Sequence, residues 1–141
     1  MLFLDPQANP RKNSSPIHLD VETRVRHWTV TRVLEPTAGG MQEAVAEDAD
    51  GTLVLLRVPG DNDAIERVFA EAALAKRHRH WGIVHTIGVV DHQGWPVQVI
   101  EHVDGLTLDH VGLLSGSLAP EAVCRIGWQI AMILVELHRE P

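Results

Sequence analysis

Several histidines and one glutamate are the first residues of this chain whose types suggest chemistry. The stretch Phe69–Val90 reads FAEAALAKRHRHWGIVHTIGVV, with Glu71 near its start and His78, His80 and His85 after it. Zinc sites combine histidine with cysteine or carboxylate at defined spacings, and positions i and i+2 of a helix do not share a face. These histidines are therefore a poor ligand set, and we expect no metal site.

The chain contains a single cysteine, Cys124. A cysteine–histidine hydrolase needs an activated thiolate beside a base, whereas Cys124 follows Val123 in an apolar helical segment, as a small packing residue does. One cysteine also precludes an intrachain disulfide, which favours a reducing compartment. We expect a cytoplasmic protein.

The composition argues against two classes of partner. Among 141 residues, 19 acids and 12 bases give a net charge of −7, and nucleic acids and anionic membranes attract basic surfaces instead. The one basic run, Lys76–His80, falls at a predicted helix end, where cations complement the helix dipole. The N-terminus does not resemble a signal peptide, and Gln129 and Glu136 interrupt the longest apolar segment. We therefore expect neither nucleic-acid nor membrane binding.

Hydrophobic periodicity predicts five strands and three helices. Residues 1–25 mix proline, asparagine, serine and charges, which is typical of a flexible tail. Alternating or β-branched runs predict strands in HWTVTRVLEP, GGMQEAVAED, TLVLLRV, VHTIGVVD and WPVQVIEHV. Asp48–Gly51 is a tight-turn signal between the second and third strands. The segment AIERVFAEAALAKRH has helical spacing, a short helix is predicted over 108–114, and a long one begins at Pro120.

Three motifs in this order resemble the N-terminal lobe of eukaryotic-like Ser/Thr protein kinases, particularly bacterial ones. VQVIEHVDGLTL at Val97–Leu108 is similar to the family's fifth strand and hinge, LVMEYVDGLTL. HWGIV at His80–Val84 is similar to the turn HPNIV, in which the histidine packs and forms hydrogen bonds. QIAMILVELH at Gln129–His138 is similar to QIAxALxxLH of the helix named αE. The resemblance runs from about residue 27 to the last residue.

The resemblance implies an α+β fold in three parts. After the tail of residues 1–25, residues 26–105 would form a kinase N-lobe-like domain, a five-stranded antiparallel sheet with the family's αC helix. Residues 106–141 would form the hinge and a helical extension, αD and αE.

Kinases catalyse phosphoryl transfer chiefly by positioning groups and neutralising charge, and the resemblance places each part on this sequence. Arg57 stands where the strand lysine is expected, and Glu71 stands at its αC partner. Ile100 matches the gatekeeper residue. The vestigial nucleotide cleft that this implies consists of Gly39, Gly40, Arg57, Glu71, Ile100, Glu101, His102 and Val103.

This cleft departs from the family's pattern. In the loop LEPTAGGMQEAV, Glu35 and Thr37 replace expected glycines, Pro36 stiffens the backbone, and a phosphate cradle needs bare N–H groups. Arginine is not a conservative replacement for a phosphate-binding lysine. The pair Arg57–Glu71 is therefore predicted to be a structural strut. Backbone groups of the hinge could hold a purine at most weakly, and we expect no cofactor.

Two catalytic segments of the family have no counterpart in this sequence. HRE at His138–Glu140 imitates the catalytic HRD, but His138 is the residue that closes αE, so the register is wrong. Neither a catalytic base nor a magnesium-binding DFG follows. The resemblance therefore implies a non-catalytic, pseudokinase-like chain.

The last helix is predicted to be an interface. Its apolar residues cover most of the circumference, and such a helix is normally buried. We expect αD and αE to form a homodimer or to bind a protein partner. The alternative is an ATP-binding fragment of a Ser/Thr kinase, completed by further sequence or by a partner chain. The predicted interface residues are Val123, Ile126, Ile130, Leu134 and Leu137.

Overall fold

The computed structural model describes residues 16–35 and 40–139. They form two compact units. The sheet unit comprises the described residues up to Arg77 together with Val84–His102, and the helical unit comprises His78–Ile83 and the described residues from Val103 onwards. None of the helices in these residues is long and apolar enough to cross a bilayer.

The described part of the sheet unit contains one antiparallel sheet and one helix, α1 (Asn62–Arg77). The strand order is β1-β2-β3-β4-β6-β5, and all neighbours are antiparallel. The strands are β1 (Arg24–Val25), β2 (Trp28–Val33), β3 (Met41–Glu47), β4 (Leu53–Pro59), β5 (Thr86–His92) and β6 (Trp95–Glu101).

The prediction of five strands was wrong, because the sheet has six. The additional strand, β1, pairs with β2 across a two-residue turn, in the segment that the composition assigns to a tail. Just before it, Leu19 is fully buried. Its N–H donates to Oε1 of Gln42 at 2.8 Å, and Nε2 of Gln42 donates to its carbonyl at 3.0 Å. A two-residue strand is too short to show an alternating pattern, so periodicity could not reveal it.

The turn between β3 and β4 forms where the sequence predicts it. Oδ1 of Asp48 accepts hydrogen bonds from the N–H groups of Asp50 and Thr52, both at 2.9 Å, and Gly51 has a φ of +79°. Such side-chain caps favour aspartate in turns, and positive φ favours glycine. The turn fixes a register that runs without interruption through all seven residues of each strand.

Two clusters of buried side chains hold the sheet unit together. One lies on the inner face of the sheet, where Val54, Leu56 and Val58 of β4 alternate with more exposed neighbours. The other joins α1 to the sheet through Val68 and Ala72. Because strand side chains alternate between faces, the residues between those of the inner cluster on β4 face the opposite side.

The helical unit contains α2 (Leu108–Ser115) and α3 (Pro120–Arg139), in agreement with the predicted helices. The N-cap of α2 is Thr107, whose side chain accepts from the N–H of His110, and its C-cap is Gly116 with φ of +72°. Neither helix has a buried residue. The stability of this unit therefore draws little on a closed apolar core.

We expect Leu19→Ala to destabilise the fold, although Leu19 precedes the first strand. Truncating a fully buried leucine costs about 2–5 kcal/mol, because transfer free energy is lost and a cavity remains. The control is Val21→Ala, two residues away and 57% exposed, which should change the free energy of unfolding by no more than about 0.5 kcal/mol. Urea unfolding measures both. Equal small effects would show that residues 16–25 are not part of the folded core.

Candidate functional site

Arg57 of β4 lies between two carboxylates. Its Nη1 donates to Oε2 of Glu71 at 2.8 Å, which joins β4 to α1. Its Nε lies 2.9 Å from Oε1 of Glu43, an ion pair in which the N–H does not point at the oxygen. Glu43 is the residue directly opposite Arg57 in the β3–β4 ladder. The structure thus brings together the predicted pair and adds a second acid.

This arrangement leaves the guanidinium little capacity for a further anion. Two carboxylates and one guanidinium sum to one negative charge, so a phosphate approaching Arg57 would also meet that excess charge. The side chains of Arg57 and Glu43 are only 22% and 18% exposed, which limits screening by water. A lysine at this position would offer one compact charge, whereas arginine offers a fork that can serve two acceptors.

The described end of the glycine-rich loop is attached to the junction between β4 and α1. Gly39 lies outside the described residues. Gly40, at a φ of +69°, accepts a hydrogen bond from the N–H of Gly60 at 2.9 Å. A Cβ added to Gly40 would lie 3.9 Å from Oδ2 of Asp61, whose Oδ1 caps α1 by accepting from the N–H of Ala64. A carboxylate at this place opposes the binding of phosphate.

The predicted gatekeeper and hinge residues fall at the end of β6. Ile100 is 7% exposed and pairs with Leu55 of β4. Glu101 forms two bonds with His85: its N–H donates to the His85 carbonyl at 2.9 Å, and its Oε1 accepts the His85 N–H at 2.8 Å. The Glu101 N–H and carboxylate therefore already have partners. His102 ends the sheet unit half-buried, and Val103 begins the helical unit exposed.

Within the helical unit, His80 has the packing and hydrogen-bonding role that the resemblance implies. Its Nδ1 accepts from the N–H of Gly82 at 3.0 Å, and its Nε2 lies 2.7 Å from Oε2 of Glu136 on α3. A neutral imidazole with its proton on Nε2 satisfies both contacts. A Cβ on Gly82 would collide with the side chain of Ile133, so glycine lets this turn lie against α3. In residues 16–35 and 40–139, no three histidine, cysteine or acidic side chains are placed to hold a metal ion.

The predicted interface residues occupy one side of α3. At 100° per residue, Val123, Ile126, Ile130, Leu134 and Leu137 lie within about a quarter of the circumference, and we call them the α3 stripe. Three of them are about half exposed, and Ile126 and Leu137 are partly covered. Outside the stripe, Trp128 is 64% exposed.

Glu43 is the member of the site that reasoning from the sequence missed. The position of Glu43 opposite Arg57 could nevertheless have been predicted from the Asp48–Gly51 turn. Counting outward from that turn in an antiparallel hairpin pairs position 43 with position 57, and cross-strand neighbours of opposite charge interact. The resemblance drew attention to the helix glutamate instead, because that is the partner the family uses.

Comparisons with solved structures concern the fold of the chain. The Mycobacterium tuberculosis PknI kinase domain superposes with a TM-score of 0.68 at 21% identity, over 86% of this chain and 51% of that one. The chain has a protein kinase-like fold. Rad53 residues 1–466 in complex with AMP-PNP gives 0.67 at 18% identity, over 80% of this chain and 30% of that one. The apo form of PpkA-294 gives 0.56 at 14%, over 68% and 42%.

The kinase-like chain therefore spans about half the length of the PknI kinase domain. No protein-family model matches it, and no curated protein does. At these identities the likeness concerns the fold. Three short sequence motifs predicted a resemblance to a kinase N-lobe, and the fold confirms that resemblance.

We expect both carboxylates to be coupled energetically to Arg57. Double-mutant cycles would combine Arg57→Met with Glu43→Gln and, separately, with Glu71→Gln. Each coupling should be about 0.5–1 kcal/mol, the range of partly exposed ion pairs, and should decrease with salt. Glu66, an exposed acid of α1 that forms no ion pair with Arg57, provides the control cycle and should show no coupling. If Glu43 shows no coupling either, Arg57 interacts energetically with α1 alone.

Proposed function

We propose that this chain is a non-catalytic protein-interaction or regulatory module with a kinase-N-lobe-like fold. It dimerises or binds a protein partner through its C-terminal helices, and a single cysteine is in keeping with a cytoplasmic location. The observation that carries the proposal is α3, a 20-residue helix rich in large apolar side chains of which none is buried.

The energetic argument for an interface rests on the α3 stripe. Fully burying an exposed valine, leucine or isoleucine contributes about 1.5–3 kcal/mol. Val123, Ile130 and Leu134 are each about half exposed, so covering all three favours association by about 2–4 kcal/mol. A helix is about 30 Å long at 20 residues, which is long enough for two copies to pack along a shared seam. A second copy is the simplest partner, because a twofold axis brings the same surface onto itself.

We expect the chain to be a dimer that Leu134→Glu converts to a monomer. A buried, unpaired carboxylate in an apolar seam costs several kcal/mol. The matched control is Gln129→Glu, which adds the same charge to the same helix outside the α3 stripe and should leave the dimer intact. Light scattering coupled to size exclusion, over a concentration series, gives the mass of each variant. Circular dichroism verifies that the helices persist. A wild-type chain that is monomeric throughout would contradict self-association.

The non-catalytic part of the proposal rests on the charges around Arg57. Glu43 and Glu71 already engage its guanidinium, and Asp61 lies beside the described end of the loop. Nucleoside triphosphates carry several negative charges, which kinases neutralise with lysine and Mg²⁺. A site in which the arginine beside these acids is already paired with two of them is a poor receptor for phosphate.

We expect no saturable nucleotide binding. Thermal unfolding in increasing ATP, with and without Mg²⁺, should show no saturable rise in Tm, because a ligand stabilises a protein only as far as it binds the native state. Two variants distinguish the effect of the arginine itself from the effect of the excess negative charge. Arg57→Lys alone should behave like wild type, because Glu43 still faces the new lysine. Arg57→Lys with Glu43→Gln removes the excess charge and is the variant in which weak binding would first be seen. A saturable rise in the wild-type chain would contradict the proposal.

The second candidate is an ATP-binding fragment of a Ser/Thr kinase, completed by further sequence or a partner chain. The observation that favours it is the 2.8 Å contact between Arg57 and Glu71, which joins strand to helix as the lysine–glutamate pair does in kinases. The similar structure of Rad53 was determined in complex with AMP-PNP. A saturable, Mg²⁺-dependent rise in the Tm of the wild-type chain would favour this candidate.

A further inference from the structure

A pocket of about 260 Å³ lies within the sheet unit, away from Arg57 and its carboxylates. It is lined by the turn between β1 and β2, by Trp28 at the start of β2, and by residues of β5 and β6. β1 and β5 are the two edges of the sheet, yet residues from the β1–β2 turn and from β5 line the same pocket. The sheet must therefore curl so that its edges approach each other, and the pocket lies between them.

The walls of the pocket are apolar. Trp28 and Val99 are buried members of the inner cluster, and Ile87 and Val90 are partly buried against it. The register of β5 against β6 shifts between Thr86 and Gly88, so Ile87 is left without a partner in the ladder. Bulges and strand glycines recur where a strand bends or where a ligand approaches the backbone.

The exposed side of the pocket is basic. Arg26 and His27 line it, and the Nε of Arg24 donates to the carbonyl of Arg26 at 3.3 Å, which brings a second guanidinium to the same turn. None of the lining residues is acidic, although the chain as a whole carries a charge of −7. Arg26 forms no ion pair with any residue in the described part of the chain.

The turn that presents Arg26 is strained. Arg26 has a φ of +58°, in the left-handed region that a residue with a Cβ enters at a cost of roughly 1 kcal/mol. Glycine or asparagine is the usual residue there. The two-residue turn accounts for this conformation, and it leaves the side chain of Arg26 beside an apolar pocket without a partner acid among the described residues.

We propose that this pocket binds a free medium-chain alkyl carboxylate. The alkyl chain lies against Trp28, Ile87 and Val90, and the carboxylate pairs with the guanidinium of Arg26. An apolar cavity of about 150 Å³ accommodates benzene, so 260 Å³ has room for about ten heavy atoms, the size of octanoate. Aliphatic walls and an irregular, bulged strand suit a flexible chain, and a basic mouth in an acidic protein selects an anion.

Such a ligand would join the two edges of the sheet. It would contact the β1–β2 turn and β5 at once, so binding would stabilise the short strand β1. None of the residues that line the pocket belongs to the α3 stripe or to the Arg57 cluster, and the proposal does not depend on the proposed function.

Isothermal titration calorimetry of the whole chain with three ligands tests the chemistry. Octanoate is the probe, octanol keeps the chain length without the charge, and butyrate keeps the charge with a short chain. We expect octanoate to bind with a Kd of about 1 mM or tighter, and octanol and butyrate each to bind at least about fivefold more weakly. No heat from octanoate, or equal affinity for octanol, would overturn the proposal.

Arg26→Gly is the informative variant, because glycine relieves the positive φ and should keep or raise the Tm. We expect it to weaken octanoate binding at least about fivefold and to leave the affinity for octanol unchanged. Arg79→Ala, which removes the same charge from the helical unit, should change neither. Unchanged octanoate binding in Arg26→Gly would overturn the proposal. So would ¹⁵N chemical-shift changes on octanoate addition that occur in α3 and not at Gly88 and His27.

Discussion

The register of the hairpin β3–β4 is the constraint on which the rest of the sheet unit depends. The Asp48 cap and the positive φ of Gly51 fix the turn, and the ladder then runs without a bulge from Glu47 and Leu53 to Met41 and Pro59. A slip of one residue would turn Arg57 into the inner cluster and Leu56 out of it, because strand side chains alternate. The same register that builds the core therefore places Glu43 opposite Arg57.

That placement is the basis for our proposal that the chain has kinase-like geometry without kinase chemistry. A strand cation contacts a helix carboxylate, as in phosphoryl-transfer enzymes, but the cation is an arginine and a second carboxylate shares it. The contact joins sheet to helix and leaves no excess positive charge for phosphate. In the helical unit, by contrast, the apolar residues of α3 have little to cover them within the described chain. We therefore propose that α3 mediates recognition and that the Arg57 cluster contributes to stability.

Much of the fold could be predicted from the sequence. Strands β2 to β6 carry alternating or β-branched residues over six or seven positions, and α1 and α3 carry helical spacing over four turns or more, so each element signals itself. β1 does not, because two residues show no period, and the segment before it is anchored at Leu19 by a side chain 23 residues away, Gln42. Local patterns contain no information about such long-range contacts.

The residues of the candidate site likewise fall into those that the sequence could identify and those that it could not. Arg57 and Glu71 could be identified from the resemblance, because they stand where the family has its strand lysine and its αC glutamate. Identifying Glu43 required the register of β3 against β4. Identifying the pocket required the curl of the sheet, which brings Arg26 near Val90. The positive φ of Arg26 is likewise invisible in the sequence, since arginine does not favour that conformation.

The sole cysteine permits a direct test of the claim that α3 is an interface. Cys124 is exposed on α3 and lies about a quarter turn or more from the α3 stripe, so a nitroxide attached to it would report on the interface without occupying it. Pulsed electron–electron double resonance on the labelled chain measures the distance between two labels in a complex. If two α3 helices pack at about 10 Å, the account predicts one narrow intermolecular distance that disappears on dilution with unlabelled chain. A signal without dipolar modulation, at concentrations where the chain is soluble and folded, would contradict self-association through α3.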